Sequence, residues 1–113
     1  MTFTDTRARI AAALSTVPGV TGYAFRPNVI TAGDAWVLLS VAERGPGTAW
    51  SATWRCVVIL GGDEQAAQTL LDAVLPTLVD ELDPVAYVDQ AAPVAVATNA
   101  GDMYGVELQV RSE

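Results

Sequence analysis

The sequence contains no histidine, no lysine and a single cysteine, Cys56. Without histidine the chain lacks the side chain that most often moves protons near neutral pH, and without lysine it cannot form Schiff bases. One cysteine excludes an internal disulfide and a cysteine-rich zinc site. Because no histidine can activate it, we interpret Cys56 as a small buried hydrophobe. The sequence therefore predicts a protein that is not an enzyme and that uses no metal or cofactor.

Positive charge is also scarce, since six arginines face 13 carboxylates and the net charge is −7. Binding of duplex DNA depends on neutralising phosphates with Lys and Arg, so this balance argues against it. It is compatible with a surface that DNA passes without being held, because like charges repel. The arginine-only composition, rich in Ala, Val, Gly and Asp, suggests a GC-rich coding sequence of actinobacterial or actinophage origin.

The chain has no long apolar run. Its 113 residues fit one domain, 1–113, and 51% of them are hydrophobic. The N-terminus lacks the charged and then apolar pattern of a signal peptide, and no stretch approaches the length of a membrane span. We therefore expect a protein made and used in a reducing cytoplasm, or packed into a particle that is assembled there.

Two segments have the apolar spacing of an amphipathic helix. The first covers residues 4–17, with Thr4 as the expected N-cap. The second covers residues 63–82 and begins at Asp63, which we interpret as a cap rather than as part of a phosphate-binding turn. Pro76 should kink or break this second helix, because proline donates no backbone hydrogen bond.

The patterns of the remaining segments predict strands, which are separated by Gly, Pro and Asn. The predicted strands are 20–26, 35–44, 48–60, 85–89, 93–99 and 103–111. Residues 35–60 form a long antiparallel hairpin, and the last two strands form another across 99–102. The strands occur in runs, which predicts an α+β fold of order α-β-β-β-α-β-β plus one short extra strand. Its sheet is mainly antiparallel, and two helices pack on one side.

In segment 48–60, alternate residues should face opposite ways. One set should face the core: Trp50, Ala52, Trp54, Cys56, Val58 and Leu60. The other set is polar at first and apolar later, as if its face were covered only at the far end: Ser51, Thr53, Arg55, Val57 and Ile59. We expect Trp50 and Trp54 to anchor the core against the second helix, and a stacking platform for a ligand is the alternative.

Charged residues offer two further candidates. Asp80, Glu81 and Asp83 gather at the end of the second helix, where a solvated helix end is favoured over a divalent-cation site. Arg44 and Arg55 either lie on a solvated face or form salt bridges between subunits.

The order of elements, together with three stretches of sequence, resembles a known family. These are Trp-Arg-Cys-Val-Val-Ile-Leu-Gly at 54–61, Asp-Glu-Gln-Ala-Ala at 63–67 and Tyr-Gly-Val-Glu-Leu-Gln-Val at 104–110. The chain resembles, over nearly its whole length, the tail terminator proteins of long-tailed phages, especially those of actinophages, in the group typified by the lambda tail terminator.

The resemblance implies a structural protein of the virion. Copies of the chain would form a ring, usually a hexamer, that caps the tail tube protein, stops its polymerisation and joins the head connector, while DNA passes through unbound. We would then find the protein in the host cytoplasm during assembly and afterwards at the neck end of the tail. The expected contact regions are loops 27–34 and 45–49 and the polar hairpin face. The residues assigned to the interface are Asp34, Arg44, Ser51, Thr53 and Arg55.

Two alternatives remain open at this point. One is another neck or head-completion protein of a phage. The other is a small bacterial ligand-binding or carboxylate-using enzyme domain with Trp50 and Trp54 in a pocket.

Overall fold

The computed structural model describes residues 2–45, 47 and 50–112. Its elements follow in this order: α1 (Phe3–Ser15), β1 (Thr21–Tyr23), β2 (Asp34–Arg44), β3 (Trp50–Gly61), α2 (Glu64–Leu82), β4 (Tyr87–Thr98) and β5 (Gly101–Ser112). The predicted α+β class and the order α-β-β-β-α-β-β are confirmed. Residues 48 and 49, which we assigned to the third strand, lie outside the described residues.

The described strands form one sheet with the spatial order β1-β2-β3-β5-β4. All neighbouring strands are antiparallel except β1, which runs parallel to β2 over three residues. The chain enters β5 last, and β5 lies between β3 and β4. This places β4 at one edge of the sheet, while the other edge is formed by β1 and the exposed second half of β2.

Both helices pack on the same face of the sheet, as predicted. From α1, Ile10, Leu14 and the following Val17 are buried, and from α2 Leu78 and Leu82 are fully buried. The sheet supplies alternate residues of its three central strands: Ala35, Val37, Ala52, Trp54, Cys56, Val58, Leu60, Val106, Leu108 and Val110. This is the main core.

The opposite face is covered only at one end. There the connection between β1 and β2 places Ile30 over Trp36, Val57 and Ile59, which form a second, smaller core. At the other end of β3, Ser51 and Arg55 are exposed and Thr53 is half-buried. The expected change from polar to apolar along this face of the third strand is therefore confirmed.

Helix α1 begins two residues earlier than predicted, so the assignment of Thr4 as its cap is wrong. The Thr2 hydroxyl accepts a hydrogen bond from the Asp5 backbone N–H (3.1 Å), and the Asp5 carboxylate accepts one from the Thr2 backbone N–H (3.3 Å). The hydrogen bond from the Thr2 backbone, helped by that with its side chain, lowers the pKa of Asp5. Thr2 rather than Thr4 caps the helix because an acidic residue, Asp5, lies three positions after Thr2 and completes a capping box.

Helix α2 begins after Asp63, as predicted, and the Asp63 carboxylate accepts a hydrogen bond from the Ala66 backbone N–H at 2.8 Å. The helix is continuous through Pro76, so the possibility of a break is wrong. Asp72 and Pro76 are both exposed. Water can therefore hydrate the Asp72 carbonyl that proline leaves without a partner.

The segments predicted as separate strands at 85–89 and 93–99 are one continuous strand, β4. Its Pro93 does not interrupt it, because an edge strand can present the missing N–H to solvent. The turn into β5 is shorter than the predicted 99–102, since Thr98 already pairs with Gly101. Gly101 has a φ of 100°, a conformation that favours glycine.

Gly22 offers a test of how α1 sits on the sheet. A Cβ at this position would overlap the carbonyl oxygen of Ala11 and touch the Leu14 side chain at 3.0 Å. We expect Gly22→Ala to lower the free energy of unfolding by about 2 kcal/mol, because α1 would have to move away from β1. Urea denaturation followed by circular dichroism measures this.

Gly62→Ala is the matched control, because a Cβ there has no atom within 4 Å. Its stability should stay within about 0.5 kcal/mol of the parent chain. Equal effects of the two substitutions would contradict the close contact between α1 and β1.

Candidate functional site

Cys56 lies in the main core and is fully buried. Burial raises the pKa of its thiol to about 12, because the thiolate would lose its hydration. The thiol is thus protonated at neutral pH and has no solvent access. Its position agrees with the interpretation of Cys56 as a small core residue.

The carboxylates at the end of α2 do not converge. Glu81 accepts a hydrogen bond from the Thr16 hydroxyl at 2.9 Å, which ties α2 to the end of α1. Asp80 is exposed, and Asp83 forms the C-cap of the helix. Within residues 2–45, 47 and 50–112, no three His, Cys, Asp or Glu side chains are grouped in a way that could hold a metal ion.

The two tryptophans of β3 do not form a joint platform. Trp54 is only 1% exposed, its ring meets Phe3 edge-on at 6.3 Å, and its indole N–H donates to the Ser112 hydroxyl at 2.8 Å. Trp50 is 53% exposed. Trp54 therefore anchors the core, which it shares with residues of both helices. Trp50 is not the core anchor that the alternation predicted.

Polar side chains of β3 and β5 lie on the face of the sheet opposite the helices and are exposed or half-buried. We call this face the open face and define it by the polar residues opposite the helices on β3 and β5: Ser51, Thr53, Arg55, Glu107 and Gln109. Arg55 and Glu107 form a loose ion pair, with Nη1 and Oε1 3.9 Å apart. Both side chains are partly exposed, so this pair adds little stability.

The five residues assigned to an interface do not lie together. Ser51, Thr53 and Arg55 share the open face, and Arg44 is exposed at the end of β2, where its Nε donates to the Gly47 carbonyl at 3.4 Å. Asp34 is only 7% exposed. Its carboxylate accepts hydrogen bonds from the backbone N–H and the hydroxyl of Thr31, so the structure places it inside a turn and not at the surface.

A cleft of about 660 Å³ opens beside the open face, where α2 leads into β4. Ser51, Thr53 and Ser112 contribute hydroxyls to it, and Glu43, Asp83 and Arg111 contribute charges. Arg111 is already engaged, because its Nε donates to the Asp89 carboxylate at 2.8 Å. The cleft extends the polar surface of the open face towards the start of β4.

Exposed apolar side chains line the edge of the sheet formed by β1 and β2, a feature that the sequence analysis missed. Phe25 is 65% exposed and Val41 44%, and the Arg7 guanidinium stacks on the Phe25 ring at 4.2 Å. We define the β2 rim as Arg7, Phe25, Leu39, Val41 and Arg44. The alternation of β2 predicted a strand but could not reveal that no further strand covers this part of it.

The opposite edge of the sheet is formed by β4, and Arg26 donates a hydrogen bond to its Ala97 carbonyl at 2.8 Å. We define the β4 rim as Tyr87, Val88, Asp89 and Ala91. Tyr87 is 59% exposed, and its ring faces the Arg111 guanidinium at 5.2 Å. From Gln90 to Gly101 the chain has no charged residue. Charge protects an edge strand from pairing with another chain, and β4 carries a charge only at Asp89, near its start.

Neither helix in the described part of the chain combines the length and the hydrophobicity needed to cross a bilayer. Comparison with known protein families finds none that matches this sequence, and comparison with curated proteins finds no match either.

The burial of Cys56 predicts slow chemical labelling. At pH 7 a thiol-reactive disulfide reagent should modify the native chain at least about a hundredfold more slowly than the chain in denaturant, because labelling requires opening of the core. Stopped-flow absorbance measures both rates. Rapid labelling of the native chain would place Cys56 at an accessible surface.

The same thiol predicts a loss of stability in alkali. The ordinary pKa of the thiol is 9.0, so as the pH rises Cys56 loses its proton in the unfolded chain before it does so in the folded chain. Ionisation therefore favours the unfolded chain, and the free energy of unfolding falls as the pH rises from about 9 towards about 12. The Cys56→Ala variant should lose less stability between pH 8 and pH 10 than the parent chain. Chemical denaturation at each pH measures the difference.

Proposed function

We propose that this chain is the subunit of a tail terminator ring in a long-tailed phage, as the family resemblance of its sequence suggests. The ring caps the tail tube, stops polymerisation of the tube protein and presents a surface to the head connector. The mature protein then resides at the neck end of the virion tail.

The partly uncovered face of the sheet opposite the helices is the observation that carries this proposal. Two helices complete the core on one face of the sheet, whereas Ser51, Thr53 and Arg55 leave part of the other face polar and uncovered. A subunit that stacks on the end of a tube needs an uncovered surface of this kind. Polar side chains there can bind a protein partner and still keep the free subunit soluble.

The chemistry of the chain also favours an assembly role. Its one thiol is buried and protonated, and its exposed carboxylates at the end of α2 are dispersed. A net charge of −7 suits a passage through which DNA moves without adhering. A protein–protein surface is therefore the role that these residues support best.

Tube assembly provides the direct test. We expect the purified chain, added to the tube protein of the same genome during polymerisation, to shorten the tubes and to appear as a ring at one tube end by negative-stain electron microscopy. Preformed tubes with both ends blocked should show no shortening. A ring that forms but leaves tube length unchanged would instead support another neck or head-completion protein.

Arg55 tests the open face. Arg55→Glu should weaken self-association or tube capping by about tenfold, whereas the melting temperature should change by only a few degrees, because the pair with Glu107 is loose. Native mass spectrometry and sedimentation measure assembly.

The double variant Arg55→Glu with Glu107→Arg separates the two explanations of a loss. It restores opposite charges within the chain but keeps the reversed charge at position 55. Recovery of assembly would mean that only the internal pair matters. A persistent loss would mean that Arg55 contacts a partner.

A further inference from the structure

We propose that a pocket beside Arg7 binds a glutamate side chain presented by another protein. We call it the Arg7 pocket and define it by the residues that line it: Phe3, Thr4, Arg7, Phe25, Leu39 and Trp54. The proposal goes beyond the terminator ring, because it assigns a second binding surface and states the chemistry of what occupies it.

The Arg7 pocket lies where the start of α1 meets the edge of the sheet. Leu39 of β2 is paired with Trp54 of β3, and Trp54 belongs to the main core, so the pocket is on the helix side of the sheet. β1 pairs with β2 only as far as Trp36, and no described strand continues along the outer edge of β2 beyond that residue. Phe3 and Phe25 are exposed as well, and the pocket is therefore open to solvent.

The guanidinium of Arg7 is held by aromatic rings and lacks a carboxylate partner. Its Cζ atom lies 4.2 Å from the centre of the Phe25 ring and 5.7 Å from that of Trp54. Among the residues that the structure describes, none forms an ion pair with Arg7 or accepts a hydrogen bond from it. Ring contacts use the faces of a guanidinium, whereas its N–H donors point outward in its plane. These donors therefore remain available to a ligand.

An arginine in this setting is suited to a carboxylate. The planar donors match the two oxygens of a carboxylate, and such charge-assisted hydrogen bonds are about twice as strong as neutral ones. Arg7 is half-buried, so its charge has lost part of its hydration, and an anion would compensate for that loss. The stacked rings also hold the guanidinium in place before a ligand arrives, which lowers the entropic cost of binding.

The nearest acidic residues of the chain itself are used elsewhere. The Asp5 carboxylate accepts a hydrogen bond from the Thr2 backbone N–H, and Glu43 lines the cleft beside the open face. Neither of them lines the Arg7 pocket. The lining is thus positively charged although the whole chain has a net charge of −7, and this local charge favours an acidic partner group.

The size and lining of the pocket favour one side chain over a whole small molecule. Its volume is about 210 Å³. Pockets for whole ligands usually occupy about 300–1,000 Å³. Phe3, Phe25 and Leu39 surround the single charge with apolar surface. The methylenes of a glutamate can contact this surface while its carboxylate reaches Arg7, whereas an inorganic anion would leave the apolar surface exposed.

The location of the pocket makes it available to a further protein. Ser51, Thr53 and Arg55 of the open face lie on the opposite side of the sheet, because Trp54 faces the helices and residues alternate along a strand. A tube or a neighbouring copy that is bound to the open face therefore leaves the Arg7 pocket uncovered. Arginine and aromatic residues are also the types enriched at protein interfaces.

Two blocked pentapeptides, with a central glutamate or a central glutamine between valines, test the pocket. We expect the glutamate peptide to shift the Arg7 Nε–H resonance in a saturable way and to bind about tenfold more tightly than the glutamine peptide, because only a carboxylate pairs with the charged donors. NMR titration of the full chain at low salt measures both affinities. Equal affinities would overturn the assignment of a carboxylate, and a titration without any shift at Arg7 would overturn the pocket.

Substitution of Arg7 provides the matched comparison. Arg7→Gln should lower the affinity for the glutamate peptide by about tenfold and abolish its preference over the glutamine peptide. Arg9→Gln is the control, because it removes the same charge from the same helix at a residue that does not line the pocket. It should bind as the parent chain does, and an equal loss in both variants would mean that only net charge matters.

Arg7→Lys tests the pocket even if Arg7→Gln proves unstable in a circular dichroism melt. Lysine keeps the charge but lacks the planar donors, so this variant should still prefer the glutamate peptide and should bind it more weakly than the parent chain. Unchanged affinity in Arg7→Lys would overturn the role of the planar donors.

The same titration distinguishes other occupants. Inorganic phosphate that shifts Arg7 at the same concentrations as the glutamate peptide would overturn a protein occupant. An Arg7 resonance that moves when the free chain is concentrated would overturn a different protein in favour of a second copy. Because peptide binding does not require assembly, its failure would leave the terminator role intact, and a chain that forms no ring would leave the peptide result standing.

Discussion

The burial of β3 on both of its faces is the constraint on which the rest of this structure depends. On one face Trp54, Cys56 and Val58 lie beneath the helices, and on the other Val57 and Ile59 lie beneath the connection that carries Ile30. Because β3 is covered on both sides only at its far end, its first half projects beyond the second core. The connection between β1 and β2 crosses this side of the sheet but covers only the end that carries Val57 and Ile59. The rest of this side remains uncovered and forms the open face.

The fold was largely predictable because it depends on local patterns. The alternation of 48–60 identified the core-facing residues correctly from Ala52 to Leu60, and Asp63 was identified as a cap because a carboxylate preceding an apolar helical stripe has few other roles. The errors occurred where tertiary position overrides local preference. Pro93 argues against a strand unless the strand is known to lie at an edge, and Trp50 alternates with the core although 53% of it is exposed.

The candidate surface was less predictable than the fold. Ser51, Thr53 and Arg55 could be assigned to one face by their spacing, but Asp34 could not be excluded from the surface, because its hydrogen bonds with Thr31 depend on the turn geometry. The rims were not foreseeable at all. Exposure of Phe25 and Val41 depends on which strands are neighbours, and strand order is a property of the whole sheet rather than of any segment.

The position of β5 between β3 and β4 has a consequence for the timing of assembly. The pairings of β3 with β5 join segments that are far apart in sequence, and such contacts form late because a long loop must close first. Until β5 has been synthesised, β4 has no partner strand and its rim has no defined shape. Insertion of β5 therefore gives the β4 edge its shape only after the last strand of the sheet has been synthesised.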